Sequence, residues 1–158
     1  MLIKGQKADN IRFADTMKED CFEKTDMRFV IANPPFGLSW GGKDAGDGVE
    51  KAVRAEAKKG KNGRFGAGLP ATGDMQHAIA KMNRKNGRAA IISNGSPLFS
   101  GNTTSGESQI RRFMLEKDLI EAIIALPSQL FYNTDIGIYA FILSKNKRKE
   151  RVNKIQLI

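Results

Sequence analysis

Short apolar stretches along the chain predict the strands of a sheet. Residues 10–14 (NIRFA) alternate polar and apolar side chains and run into Asp15, a pattern typical of a short strand that ends in a turn. Residues 28–32 (RFVIA) form a compact β-branched and aromatic run, which must end at Asn33 because two prolines follow. Runs apolar enough for interior strands cover residues 88–93, 119–126 and 136–143, and a further strand is expected within residues 154–158.

Helical spacing of apolar residues predicts the elements between these strands. One helix extends over the apolar positions from Met75 to Met82, with Asp74 as its cap and a natural stop at Asn86-Gly87. A second helix follows residues 104–107 (TSGE), which have the form of a capping box. Its expected buried positions are Ile110, Phe113 and Met114. A third helix is possible over residues 49–59.

The resulting order of elements is strand, strand, helix, strand, helix, strand, strand. Such alternation predicts an α/β domain with a mainly parallel sheet, right-handed crossovers and helices on its faces. In sheets of this kind ligands bind at the carboxyl ends of the strands, where Asp15 and Asn33 are both expected. We therefore expect the functional site at that edge.

The segment between the predicted strand at residues 28–32 and the helix that begins at Asp74 is rich in glycine. Nine glycines occur from Gly41 to Gly73, and we predict one long loop over about residues 38–73. Loops of this length in compact domains are usually functional or disordered. Gly66-Ala67-Gly68 has the G-x-G spacing of a nucleotide-binding loop, but it does not follow a predicted strand and has no acidic partner about 20 residues further on.

Composition limits the class of protein. With 158 residues and 41% hydrophobic content, the chain is expected to form a single domain. Cys21 is the only cysteine and His77 the only histidine, so we predict neither a disulfide nor a metal site. The sequence has no apolar run of eighteen residues and no signal peptide, which indicates a cytoplasmic protein without membrane contact.

The formal net charge of +9 suits a polyanionic partner. The excess is concentrated in two places, and both a solvated surface and a role in contacting phosphate remain open for each. The two groups are Lys51, Arg54, Lys58, Lys59, Lys61 and Arg64 in the glycine-rich segment, and Lys145, Lys147, Arg148, Lys149, Arg151 and Lys154 near the C-terminal end.

The tetrapeptide Asn33-Pro34-Pro35-Phe36 suits the chemistry of methylating an exocyclic amine. The lone pair of such a nitrogen is delocalised into the base, and two acceptors aimed at its hydrogens can direct it at an electrophile. The Asn33 amide oxygen and the Pro34 carbonyl are two such acceptors, and successive prolines fix the backbone direction. Phe36 offers a face on which an extruded base can stack. The alternative interpretation is a plain strand-terminating turn.

Longer segments carry a resemblance to a known family. FVIANPPFG resembles the catalytic motif of the DNA adenine-N6 methyltransferases. NIRFADT, RFGAGLPATGDMQHAIAKMNRKNGRAAIIS, GSPLFSG and IRRFMLEKDLIEAIIALPSQLFYNTDIGIYAFILSKNK extend the likeness, over nearly the whole chain, to the modification subunit of type I restriction–modification systems. The resemblance implies a partial Rossmann-like methyltransferase fold, with S-adenosylmethionine as methyl donor. The implied partners are DNA and the specificity and restriction subunits.

The resemblance also assigns roles to residues. Asn33, Pro34 and Phe36 match the residues that hold and stack the target adenine, and Pro35 completes the motif. Asp15 matches the acidic residue near the cofactor's adenine, although the alanine before it stands where the family often has glycine.

The same resemblance places the family's glycine-rich cofactor loop and ribose-binding acidic residue upstream of NIRFADT. Residues 1–158 are therefore expected to be the C-terminal portion of a truncated catalytic domain, inactive alone, with an open strand edge at residues 28–32 that invites self-association. Two alternatives stay open. One is methylation of an RNA base or a protein glutamine, and the other is a non-catalytic module for nucleic-acid binding or subunit assembly.

Other conspicuous residues have ordinary explanations. His77 is expected to be a surface or packing residue, and Trp40 either lines the mouth of the site or anchors its loop. Residues 132–134 (YNT) are interpreted as a turn.

Overall fold

A computed structural model of the chain describes residue 5 and residues 7–36, 40–69, 74–131 and 136–158. Over these ranges the protein is a mixed α/β structure built on a five-stranded sheet. The strands are β1 (Phe29–Ala32), β2 (Arg88–Asn94), β3 (Ile120–Ala125), β4 (Ile138–Ser144) and β5 (Gln156–Leu157). The α-helices are α1 (Val49–Lys58), α2 (Asp74–Lys81), α3 (Ser96–Phe99) and α4 (Gly106–Glu116).

The strands lie in the order β1-β2-β4-β3-β5. β1 is parallel to β2 and β3 is parallel to β5, whereas β4 is antiparallel to both of its neighbours. The α/β class and the mainly parallel sheet are both confirmed, because four of the five described strands run in one direction and only β4 is reversed. A parallel return needs a crossover, usually a helix, and the described part of the connection from β3 to β4 contains no helix, so the chain reverses direction there.

The main core lies between the sheet and two helices. Ala89 and Ile91 of β2 are paired in register with Leu143 and Phe141 of β4, and these side chains share one buried face. Both α2 and α4 cover that face, chiefly through Met75, Ala78, Ile79, Met82, Ile110 and Met114. The predicted buried positions of both helices are thereby confirmed, except that Phe113 is only partly buried.

Helix boundaries differ from the sequence prediction where other hydrogen bonds compete. α2 ends at Lys81 rather than near Asn86, because Met27 N–H donates to the Lys81 carbonyl and Asn83 N–H donates to the Met27 carbonyl. α4 is capped by Ser105, whose hydroxyl accepts from Ser108 N–H at 3.4 Å, one residue later than the capping box implied. α2 begins at Asp74, but the side chain of its predicted cap lies outside the described residues.

The predicted first strand does not form. A 3-10 turn occupies Ala8–Asn10, and no strand is found between it and Asp15 in the described structure. Phe13 is fully exposed and Ile11 is 55% exposed. Alternating side chains only suit a strand, whereas a strand requires backbone hydrogen bonds to a neighbour, and no described strand lies beside these residues.

Residues 40–69 form a packed segment rather than the predicted loop. Its centre is α1, in agreement with the helix considered possible there, and a 3-10 turn follows at Gly60–Asn62. A second, smaller core joins this segment to the turn after Asp15. Its buried members are Met17, Val49, Val53 and Phe65, with Trp40, Ala57 and Leu69 packed against them. The remaining parts of the predicted loop, residues 37–39 and 70–73, lie outside the described residues.

β1 forms one edge of the sheet and leaves apolar side chains exposed. Val30 packs against the main core, whereas Phe29 is 62% exposed and Ile31 86% exposed. Among the described strands β1 therefore ends the sheet and exposes apolar side chains, in agreement with the expectation for this strand. Over the described ranges, the longest and most apolar helices fall short of what is needed to cross a membrane.

Candidate active site

The tetrapeptide follows β1 directly and leaves both of its candidate acceptors accessible. Asn33 and Pro35 are exposed, while Pro34 and Phe36 are half-buried. Among the described residues, none donates a hydrogen bond to the Asn33 side chain or to the Pro34 carbonyl. A turn stabilised by its own asparagine would use that amide, as Asn94 does when its side chain accepts from Ser96 N–H at 3.0 Å. Asn33 is instead available to a ligand.

Phe131 is a neighbour of the tetrapeptide that the sequence prediction missed. Its ring lies edge-on to Phe36, with 6.5 Å between centroids and an interplanar angle of 79°. This geometry is a favourable aromatic contact, and it places the loop after β3 beside the end of β1. The only signal in the sequence is its position directly before residues 132–134 (YNT), the segment interpreted above as a turn. Residues 132–134 lie outside the described structure.

Asp15 lies in a tight turn. Its Oδ1 accepts from Met17 N–H at 2.8 Å and from Lys18 N–H at 3.4 Å, and its carbonyl accepts from Glu19 N–H at 2.9 Å. Both side-chain hydrogen bonds formed within the described structure use Oδ1, and the residue is exposed. Oδ2 is therefore free to accept from a ligand while Oδ1 stabilises the turn.

A cavity of about 280 Å³ is lined by chain neighbours of both candidate regions. Ala14 and Thr16, which flank Asp15, line one side, and Ala32, which precedes Asn33, lines another. Only these chain neighbours share the space, since neither Asp15 nor any residue of the tetrapeptide lines it. Its remaining walls combine apolar residues of β1 with the polar side chains of Arg12, Glu19, Asp20, His77 and Lys81.

A buried ion pair fixes one wall of this cavity. Lys81 Nζ lies 3.0 Å from Asp20 Oδ2, and the two side chains are only 7% and 10% exposed. Lys81 also donates to the Phe22 carbonyl. Although burial opposes ionisation of Asp20, the hydrogen bonds from Lys81 and from Phe22 N–H outweigh it and hold the pKa of this carboxyl below its usual value. The pair attaches residues 20–22 to α2.

His77 has the packing role that was predicted for it. Burial, together with the nearby positive charge of Arg64, lowers the pKa of His77 to about 4. The imidazole is therefore neutral at neutral pH, and its Nδ1 accepts from Arg64 Nη1 at 3.2 Å. Over the described ranges, no group of three or more histidine, cysteine or acidic side chains is placed to hold a metal ion.

Two glycines of the G-x-G segment are explained by close packing. A Cβ on Gly66 would lie 1.8 Å from the Gly60 carbonyl oxygen, and one on Gly68 would lie 2.7 Å from the Gly106 carbonyl oxygen. Gln76, which is 4% exposed, holds the same segment by accepting from Ala67 N–H at 3.2 Å and donating to the Gly68 carbonyl at 2.8 Å. The N–H groups of Gly66 and Ala67, which a bound phosphate would need, are therefore already used within the protein.

Some cations of the two basic groups are structural. The Lys147 side chain is 2% exposed and pairs with Asp118, and Lys145 Nζ donates to the Met82 carbonyl at 2.7 Å. The Arg64 side chain is 11% exposed. The residues that remain exposed in the two groups are Lys51, Arg54, Lys58, Lys59, Lys61, Arg148, Lys149 and Lys154.

The chain is similar to known methylases in sequence and in fold. The chain belongs to the N-6 DNA Methylase family, whose family model matches residues 1–158. It is 33% identical over 155 residues to the Type I restriction enzyme MjaVII methylase subunit of Methanocaldococcus jannaschii, covering 94% of this chain and 25% of that protein. It is 41% identical over 131 residues to the MjaVIII methylase subunit of the same organism, covering 82% of this chain and 21% of that protein.

A solved structure agrees. The type I restriction-modification system methyltransferase subunit from Streptococcus thermophilus superimposes with a TM-score of 0.70 at 29% identity, over 93% of this chain and 30% of that one. The predicted resemblance to type I modification subunits is confirmed. The chain spans about a quarter of the length of the first of these curated relatives.

Proposed function

We propose that this chain supplies the base-holding part of a DNA methyltransferase that modifies N6 of adenine as the modification subunit of a type I restriction–modification system. The observation that carries the proposal is the pair of free acceptors, the Asn33 amide and the Pro34 carbonyl, at the end of β1. Membership of the N-6 DNA Methylase family supports the choice of adenine as substrate.

The residues of the tetrapeptide would prepare the adenine amine for attack. Accepting both amino hydrogens draws the lone pair out of the ring, and the rigid Pro34-Pro35 backbone fixes the direction of one acceptor. Phe36 and Phe131 lie in contact at right angles, so one ring can stack on an extruded base while the other holds it in place. S-adenosylmethionine, when bound, supplies the electrophilic methyl group.

Asp15 would bind one end of that cofactor. Its exposed Oδ2 can accept a hydrogen bond from the cofactor's adenine amine, and its neighbours Ala14 and Thr16 line the cavity that reaches β1. These residues fit the adenine end of the cofactor. The Gly66–Gly68 segment does not supply a loop for the other end, because its backbone is packed against other parts of the chain.

We further propose that residues 1–158 are the C-terminal portion of the catalytic domain, and that its other strands add at the open edge of β1. The exposure of Phe29 and Ile31 on that strand and the quarter-length match to a relative support this arrangement. DNA would contact the exposed cations, and the specificity and restriction subunits of a cytoplasmic type I complex would be the partners.

The test is a methylation assay of the full-length protein assembled with its specificity subunit, using S-adenosylmethionine labelled in the methyl group. We expect label at N6 of adenine in DNA, and no transfer by residues 1–158 alone. Label in RNA or in a protein glutamine would select the alternative enzyme classes. DNA binding without any transfer by the full-length assembly would favour a non-catalytic module.

The open edge of β1 makes self-association of residues 1–158 testable. We expect the isolated segment to form dimers or larger species in light scattering, and Ile31→Lys to shift it towards the monomer because a charge on an edge strand opposes pairing. Leu157→Lys is the matched control, since Leu157 is 76% exposed on the opposite edge. A monomer at high concentration before any substitution would contradict the expectation.

A further inference from the structure

One peptide unit connects Asp15 with a residue that is distant in sequence. The N–H of Met17 donates to Asp15 Oδ1 at 2.8 Å, and the carbonyl of the same peptide, that of Thr16, accepts from Arg64 Nη1. The two hydrogen bonds therefore form a chain from the Arg64 guanidinium through the Thr16–Met17 peptide to the Asp15 carboxylate. Such chains strengthen each other, because each bond polarises the group that makes the next.

Arg64 is itself held from several sides. Its Nε lies 3.7 Å from Glu56 Oε2, its Nη1 is 3.2 Å from His77 Nδ1, and its guanidinium lies 5.0 Å from the centroid of the Phe65 ring. The side chain is 11% exposed. A planar donor fixed in this way presents its N–H groups in set directions, whereas a flexible lysine would not.

Other contacts also join the turn at Asp15 to residues 40–69. Met17 is buried in the second core beside Val53 and Phe65, and its carbonyl accepts from Arg64 Nη2 at 3.5 Å. A Cβ on Gly46 would lie 4.0 Å from Asp15 Oδ2, so the start of the packed segment passes beside the carboxylate. Neither Arg64 nor Asp15 lines the cavity described above, whereas Ala14 and Thr16 on either side of Asp15 do.

We propose that Arg64 is a positioning residue for the cofactor: it orients the Asp15 carboxylate through the Thr16–Met17 peptide and thereby sets the affinity for S-adenosylmethionine from outside the cavity. The inference rests on the proposed function of Asp15. It gives residues 40–69 a defined task, since they carry the guanidinium that holds the cofactor-facing turn.

The test uses the full-length protein with its specificity subunit and measures the dissociation constant of S-adenosylmethionine by calorimetric titration. We expect Arg64→Gln to weaken binding about tenfold, the loss of charged hydrogen bonds. Arg64→Lys should retain part of the affinity, because it keeps the charge but loses the fork. Affinity for DNA should change no more than in the matched control Lys43→Gln, which removes an exposed lysine of the same segment that lies outside both basic groups.

A double-substitution cycle separates positioning from general stability. If Arg64 acts through Asp15, Asp15→Asn combined with Arg64→Gln should bind the cofactor no more weakly than Asp15→Asn alone. Hydrogen exchange of the Met17 amide should accelerate in Arg64→Gln, in the absence of cofactor. Additive losses, or unchanged cofactor affinity in Arg64→Gln, would overturn the inference.

Two further outcomes are informative. If Asp15→Asn leaves cofactor affinity unchanged, the proposed role of Asp15 fails and the inference fails with it, whereas a loss confined to Asp15→Asn overturns the inference alone. Should Arg64→Gln not fold, Arg64→Lys decides by the same cycle: reduced affinity that is not additive with Asp15→Asn supports the inference, and wild-type affinity overturns it.

Discussion

Asn33→Ala in the full-length protein is expected to reduce methyl transfer about a hundred- to a thousandfold, the usual effect of removing one preorganised polar group that acts on the reacting atom. The side chain lies at the end of β1, is exposed, and forms no hydrogen bond with the described residues. Its loss should therefore leave the fold intact and remove one of two acceptors for the adenine amine.

The measurement is single-turnover methylation of DNA, together with the dissociation constants of DNA and of S-adenosylmethionine. Both constants should stay close to those of the unsubstituted protein, because exposed cations and the cavity are untouched. Asn62→Ala is the matched control, an exposed asparagine of the packed segment. Turnover that survives Asn33→Ala would show that the tetrapeptide is a strand-terminating turn.

The sequence predicted elements well where the side chains alone decide the structure. The apolar runs that became β1 and β2 stop where prolines or polar residues require it, and the helical spacing from Met75 to Met82 identified the face of α2 that packs on the sheet. Prediction from sequence failed where the structure of a segment depends on a neighbouring element elsewhere in the fold. Residues 10–14 have the alternation of a strand but no described neighbour. The sheet is mainly parallel as predicted, but the apolar run of β4 carries no sign that this one strand is reversed.

The candidate site shows the same division. The tetrapeptide and Asp15 could be found from local sequence, because their chemistry lies within a few consecutive residues. Phe131 and Arg64 could not, since each acts on a residue far away in the chain, and Arg64 was grouped with surface cations although it is almost buried. A count of positive charge cannot distinguish a guanidinium that binds a carbonyl from one that meets solvent.

Lys81→Met is expected to lower the free energy of unfolding by about 3–5 kcal/mol, because breaking one side of a buried ion pair leaves the other charge without compensation. Lys81 and Asp20 are 7% and 10% exposed, and the Lys81 ammonium also satisfies the Phe22 carbonyl. Methionine preserves most of the volume, so the loss reports on the charge. Lys61→Met, at an exposed lysine, should change stability by no more than about 0.5 kcal/mol.

The pH dependence of this loss identifies its cause. Because the folded-state pKa of Asp20 lies below its ordinary value of 3.8, the pair contributes stability above that pH and loses it as the pH falls through the folded pKa. In Lys81→Met the pKa of the Asp20 carboxyl should instead lie above its ordinary value, because burial opposes its ionisation and no ammonium remains to compensate. In the folded variant this carboxyl takes up a proton more readily than in the unfolded chain. The difference in free energy of unfolding between variant and parent should therefore narrow as the pH is lowered from 7 towards 4. Urea unfolding across that pH range measures this difference.

Asp20→Ala combined with Lys81→Met should recover part of the stability lost in Lys81→Met alone. A loss of stability that is independent of pH would instead assign the effect to packing of the lysine stem.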